Sequence, residues 1–257
     1  MLKILSTIIL IVSLSGCALF GKDEDEANNW TLERLYSEAK RSMQRQNYNR
    51  AIELYEFLET RYPFGVYGQQ ALLDLAYVYY KIGNQEQALS TTDRFIRLYP
   101  QNPHVDYAYY LQGLINFNRN KSLTDRFIRT DPSQRDVSSA YASFQNFSEL
   151  LERFPNSRYT EDSIKRMVYL RNVLAQNEVH VASYYLRRRA FIAAINRARY
   201  VVENYSKTPS VPDALVIMAK AYRLIELDDL ANDTLRVLKM NHPSHPGIPE
   251  VESIVLN

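Results

Sequence analysis

A chain of 257 residues that holds one cysteine can close no internal disulfide, and a lone thiol cannot build a cysteine-type zinc site. Glycine is scarce too, with 7 in the whole chain, and no phosphate-cradling loop or G-x-S-x-G elbow can be read from it. The strict apolar–polar alternation of half-buried strands is missing. Neither sign of charge dominates: 31 Lys and Arg face 29 Asp and Glu, a formal net charge of +2. That balance lacks the basic excess of a nucleic-acid binder. The N-terminal apolar run, Ile4 to Val12, falls well short of the ~20 residues a spanning helix needs. What is present is a hydrophobic content of 46%, enough for a sizeable core.

The single cysteine has a telling place. Lys3, the apolar run and then Leu14-Ser15-Gly16-Cys17 follow the order of a secretory signal. The last four residues resemble a bacterial lipobox. That resemblance implies that residues 1–16 are removed and that Cys17 becomes an acylated first residue. One acyl chain holds only marginally, and lipoproteins of this kind carry three. Ala18 stands where an aspartate would favour inner-membrane retention, which points to the outer membrane. The covalent lipid on Cys17 is the one non-protein group expected; no cofactor and no metal are. Residues 17–30, with the acidic GKDEDEANN, read as a flexible tether.

From Leu32 to Pro243 a repeat takes over. NYNRAIELYEFLETRYP (47–63), NQEQALSTTDRFIRLYP (84–100) and LDDLANDTLRVLKMNHP (227–243) each place a proline twelve residues after an alanine: Ala51/Pro63, Ala88/Pro100 and Ala231/Pro243. Ser143/Pro155 and Ala194/Ser206 keep the same spacing. Twelve residues before the alanine lies another small residue, at Ala39, Ala76, Ala182 and Ala219, with Gly113 in the third unit. Facing small residues let two antiparallel helices approach closely, and the proline stops the second one. Such pairs resemble the tetratricopeptide repeat. The expected fold is all-α: an α-solenoid of about five tetratricopeptide-like hairpins. Tyr55/Leu58, Thr92/Phe95, Phe147/Leu150, Ala198/Val201 and Leu235/Leu238 are expected on the outer side of the second helices.

Gly113 and Ser143 are 30 residues apart instead of twelve, so the third hairpin carries an insertion, including TDRFIRTDPSQRD (124–136). Thr160 to Arg187 contains neither proline nor glycine and predicts one helix of about 28 residues, roughly 42 Å long. Thr160 is expected to cap it, with Glu161 and Asp162 in its first turn. The domains expected are N-terminal repeats (31–125), insertion with the rest of the third repeat and the connecting helix (126–174), C-terminal repeats (175–245) and a tail (246–257).

In tetratricopeptide-like stacks the first helix of each pair lines the concave face. That register gives Tyr36, Lys40, Tyr77, Tyr80, Lys81, Tyr107, Tyr110 and Phe117 as a groove for peptides. Tyrosine combines large contact area with a polar tip. Leu73, Leu114, Val179, Arg187, Val216, Lys220 and Arg223 fall in the same register. Of the four histidines, His242 and His245 have metal-like spacing but no third ligand nearby, and Glu149/Glu152 reads as a solvated pair. No enzyme is expected. The physics alone leaves open a lipid-anchored pilotin for secretin subunits or a peptidoglycan-associated repeat protein.

RYPFGVYGQQALLDLAYVYYKIGNQEQALSTTDRFIRLYPQNPHVDYAYYLQGL (61–114), RDVSSAYASFQNFSELLERFPNSRYTEDSIKRM (135–167) and the repeat ending at Pro243 resemble the outer-membrane β-barrel assembly factors of the BamD family. The resemblance implies a lipoprotein on the periplasmic leaflet of the outer membrane, in the Bam complex with other lipoproteins. It implies a C-terminal half docked on the membrane-proximal POTRA domain of BamA. It also implies an N-terminal half that receives the C-terminal signal of unfolded barrel proteins, aromatic-rich and commonly ending in phenylalanine with a free carboxylate. Lys40 and Lys81 are the candidates for that carboxylate. For the BamA face the resemblance points to a basic residue on the fourth repeat's second helix: Arg197 first, then Arg199; Arg223, from the first helix of the fifth repeat, is the third residue expected at the partner interface.

Overall fold

The computed structural model describes residues 27–119 and 131–254; Cys17, the signal segment and most of the expected tether lie outside the described residues. Within these residues lie eleven α-helices and one 3-10 turn, and no strand. In chain order they are α1 (Leu32–Gln44), α2 (Tyr48–Arg61), α3 (Val66–Lys81), α4 (Gln85–Leu98), α5 (Val105–Asn118), the 3-10 turn Pro132–Gln134, α6 (Ser138–Arg153), α7 (Thr160–Arg187), α8 (Phe191–Asn204), α9 (Val211–Leu224), α10 (Asp228–Asn241) and α11 (Gly247–Glu252). The chain divides into two compact units, residues 1–108 and 109–257.

The fold is all-α and made of tetratricopeptide-like hairpins. In the first unit these are α1/α2 and α3/α4. In the second, α6 returns on α5, α8 on the C-terminal half of α7, and α10 on α9. The small residues sit where the helices meet: Ala39, Ala51, Ala76, Ala88, Ala182, Ala194, Ala219 and Ala231 are all fully buried. Despite the insertion, the third pair keeps the same contact. The Ser143 hydroxyl donates to the Gly113 carbonyl at 2.9 Å, and a Cβ on Gly113 would lie 2.3 Å from a ring carbon of Phe147. The bulkier residues from Tyr55 to Leu238 that the sequence puts on an outer side are instead buried: α3 packs on Tyr55 and Leu58, α9 on Ala198 and Val201, and α11 on Leu235 and Leu238.

Both ends of each hairpin follow from local chemistry. The residue before a proline is pushed out of the helical region, and Tyr62, Tyr99, Phe154 and His242 cap their helices at ψ 64, 56, 63 and 62°. Tyr205, followed by Ser206, caps at ψ 34°. At the other end, Gln46, Gly83, Arg189 and Glu226 have φ 62, 78, 58 and 61°. Each closes a Schellman turn: the next N–H, from Asn47, Asn84, Ala190 or Leu227, reaches back to the carbonyl of Ser42, Tyr79, Tyr185 or Tyr222. Only one of the four left-handed positions is glycine, where the conformation is free of Cβ strain.

Three differences from the sequence reading matter. Residues 27–30 are packed chain, not free tether: Ala27 is buried, and the Arg61 guanidinium donates to the Asn28 carbonyl at 2.7 Å. Tyr159, not Thr160, caps α7; the Thr160 hydroxyl instead approaches the Phe154 and Pro155 carbonyls at 3.4 and 3.3 Å. The expected tail contains α11, which begins like the first helix of another repeat. Ala71, Ala108, Ser163, Ala214 and Val251 each follow the proline slot by eight residues (251 − 243 = 8), and all are fully buried. Ile248 and Val251 close over Leu215, Val216, Leu235 and Leu238, a terminal cap for the last hairpin.

Candidate functional site

In the first unit, α3 runs through the core with Leu72, Leu73, Leu75, Ala76 and Val78 buried, and carries one carboxylate among them, Asp74. A buried carboxylate needs partners, and four converge. The hydroxyls of Tyr36 and Tyr55 donate to Asp74 Oδ2 at 3.0 and 3.2 Å, Lys40 Nζ lies 3.1 Å from the same oxygen, and Gln70 Nε2 donates to Oδ1 at 3.0 Å. Burial, and then the Asp74 charge, push the Tyr36 and Tyr55 phenols above the ordinary tyrosine range, so both remain donors. Tyr67 packs on Tyr36 with ring centroids 5.3 Å apart.

Lys40 and Lys81 therefore differ. Lys40 is committed to Asp74. Lys81, in the last turn of α3, is exposed, lies 6.0 Å from the Tyr77 ring centroid, and has no carboxylate partner among the described residues. Tyr77 and Tyr80 are half-buried beside it, with ring centroids 6.4 Å apart. Tyr107 is half-buried on α5. Leu73, Val179 and Val216, which the register put with the groove residues, are buried. The loop before α3 adds an apolar lip: Phe64 and Val66 are 85% and 82% exposed on either side of Gly65, whose φ of 93° suits only glycine.

In the second unit Tyr110 stacks on Tyr159, centroids 4.5 Å apart, and donates to Asp162 at 2.7 Å. Burial and that hydrogen bond push its phenol up to about 12. Burial works against the Asp162 charge, but Arg166 and Tyr110 outweigh it and hold the carboxyl below its usual range. Phe117 packs on Tyr169, with Arg166 over its ring at 4.8 Å. The three arginines expected to face a partner are all bonded. Arg197 Nη1 reaches both Glu178 oxygens, at 3.3 and 3.1 Å, with half its side chain exposed. Arg199 donates to the Tyr222 hydroxyl at 2.9 Å. Arg223 is only 20% exposed, bridges Asp228 and Asn232, and acts as a structural tie.

Ser133, His180 and Asp131 invite comparison with a hydrolytic triad. His180 Nε2 lies 3.0 Å from Ser133 Oγ and 3.1 Å from Asp131 Oδ2, so one nitrogen meets both groups, whereas a catalytic histidine uses its two nitrogens separately. Ser133 is buried and its hydroxyl is 2.6 Å from Asp131 Oδ1. The cluster fastens the 3-10 turn to α7 and has no free nucleophile.

A family model described as YfiO, outer membrane lipoprotein, matches residues 28–238. The chain is 44% identical to the outer membrane protein assembly factor BamD of Neisseria meningitidis serogroup B over 253 residues, 97% of this chain and 95% of that one. It is 36% identical over 237 residues to the protein of the same name from Vibrio cholerae, covering 92% and 97%, and 34% identical over 243 residues to that of Haemophilus influenzae, covering 94% and 92%. The chain belongs to the BamD family of outer membrane protein assembly factors and is not an enzyme.

Proposed function

We propose that the first unit receives the C-terminal signal of unfolded barrel proteins, with Tyr77 and Tyr80 against its aromatic side chains and Lys81 on its terminal carboxylate. The observation that carries this is the Lys81 ammonium beside two tyrosines, with no carboxylate partner among the described residues, against the fully engaged Lys40. Tyrosine faces suit variable apolar side chains at small entropic cost. The second unit docks on the POTRA domain of BamA through Arg197 and Arg199. The Arg197–Glu178 pair is exposed and so of small net worth; a partner carboxylate can replace Glu178. The acylated Cys17 holds the protein to the periplasmic leaflet of the outer membrane alongside other Bam lipoproteins, and no cofactor beyond that lipid takes part. A photo-crosslinker at Tyr77 is expected to capture a peptide ending in a barrel signal, and Arg197→Glu to reduce co-purification with BamA at unchanged helix content. Crosslinks that form only with probes on other helices would reject the client reading; unchanged co-purification would remove Arg197 from the interface.

A further inference from the structure

The C-terminal half of α7 carries a stripe that neither reading above uses. Asn177, His180, Val181, Tyr184, Arg187 and Arg188 recur at three- and four-residue steps, so they share one face. Val179, Ala182 and Leu186, on another face, pack with α8 and α9. The 3-10 turn covers only the start of the stripe, where Asn177 Nδ2 donates to the Ser133 carbonyl at 2.7 Å and His180 meets Ser133 and Asp131. Beyond that wall opens a cavity of about 420 Å³, lined by Gln134, Ser183, Tyr184, Tyr185 and Arg187 among others.

Its rim is strongly cationic. Arg187, Arg188 and Arg189 are consecutive and exposed, and among the described residues no carboxylate pairs with any of them. Arg188 lies 5.9 Å from the Tyr184 ring centroid, and Tyr184 is half exposed. Arg189 holds the left-handed turn position that Gly83 fills in the second hairpin. Three unanswered charges within three residues are more than the whole chain's net +2.

We propose that this pocket binds an acidic segment of another polypeptide, one that alternates carboxylate and aromatic side chains. The Tyr184 and Tyr185 rings provide apolar faces, the Arg187 and Arg188 guanidiniums offer planar forks that match a carboxylate, and the Gln134 and Ser183 side chains can meet a peptide backbone. The volume lies at the small end of ligand sites and fits one or two side chains at a time. A membrane surface would need only the charges; the tyrosine faces in the wall of this open cavity favour a peptide. The site is independent of Lys81 and of Arg197.

The test uses the full chain and a fluorescent, C-terminally amidated octapeptide of alternating Phe and Glu, followed by anisotropy, with an amidated twin carrying Gln in place of Glu. The acidic peptide is expected to bind at least tenfold more tightly than its twin. Arg187→Gln with Arg188→Gln should remove that advantage, His180→Ala should weaken binding by loosening the wall, and Lys165→Gln, an exposed charge in the N-terminal half of α7, should leave it unchanged. Equal binding of both peptides, or full affinity in the double arginine variant at native helix content, overturns the proposal. So does capture of vesicles containing phosphatidylglycerol through the same arginines in the absence of peptide binding.

Discussion

In the first unit a lysine, two tyrosines and a glutamine converge on one carboxylate, Asp74, which α3 carries into the core. In the second unit Arg197 and Arg199 on α8 and Arg223 on α9 each have their own acceptor, and Arg187, Arg188 and Arg189 pair with no carboxylate among the described residues. The same chemistry, cation with carboxylate and tyrosine, thus gives a coupled cluster in one unit and separable contacts in the other. Removing the shared acceptor strands several groups at once, whereas breaking an exposed pair returns both partners to water. Stability should accordingly reside at Asp74, and exchangeable charge in the second unit.

The largest effect follows directly. Asp74→Ala leaves the buried Tyr55 hydroxyl and its neighbours without an acceptor and should lower stability by ~2–4 kcal/mol in urea unfolding. Glu178→Ala, which breaks the exposed Arg197 pair, should change it by less than ~0.5 kcal/mol. Similar losses for the two would erase the contrast.

Packing at the hairpin seam should not distinguish the units. Gly113→Ala drives a methyl into the Phe147 ring, and Ala51→Leu overfills the first seam; each should cost ~1–3 kcal/mol by thermal melting. An unchanged melting temperature for either would mean that its helices pair differently. Coupling sharpens the comparison further. Tyr55→Phe and Lys40→Gln share an acceptor, so their effects should deviate from additivity by ~0.5 kcal/mol or more, while Arg197→Gln and Arg199→Gln should add.

Acid offers a separate handle on the second unit. Asp162 is held below the usual carboxylate range, so its contribution is fully present above the unfolded-state value and disappears as pH falls through the lower folded value. Asp162→Asn should flatten that acid limb of a melting-temperature profile without altering the neutral-to-basic side. The smallest effect lies in the turns: Gly83→Ala should cost about 1 kcal/mol, whereas Glu226→Gly should be neutral or stabilising by up to that amount, because both positions are left-handed. A loss on Glu226→Gly would mean the side chain, not the backbone, holds that turn.

The hairpins were legible because their determinants are local or strictly periodic. The facing alanines, the prolines that end helices, and the unbroken 28-residue run of α7 all rest on spacing alone. The capping of α7 was misread because a threonine before acidic residues is a common cap, yet the chain turns one residue earlier at Tyr159. Pro209 and Pro246 are 37 residues apart (246 − 209 = 37), the same step as from Ala51 to Ala88 and from Ala194 to Ala231, and marked α11 as the opening of another repeat, but six residues are too few to show a helical period.

Asp74 was the larger miss. Its partners come from α1, α2 and α3, up to 38 residues away, and such convergence has no signature in spacing. A lone carboxylate inside the apolar run ALLDLAYV was the available clue, since an ionised group is rarely buried unless paired. The same blindness made Lys40 and Lys81 equivalent in sequence; only their surroundings separate them.

That separation is the most direct place to test the account. A fluorescent peptide ending in phenylalanine with a free carboxylate should lose tenfold or more in affinity on Lys81→Gln, and an amidated twin should bind wild type as weakly as the free acid binds that variant. Lys40→Gln should leave peptide affinity within twofold while lowering stability. Loss of binding on Lys40→Gln with Lys81→Gln unaffected would contradict the assignment of the client carboxylate to Lys81.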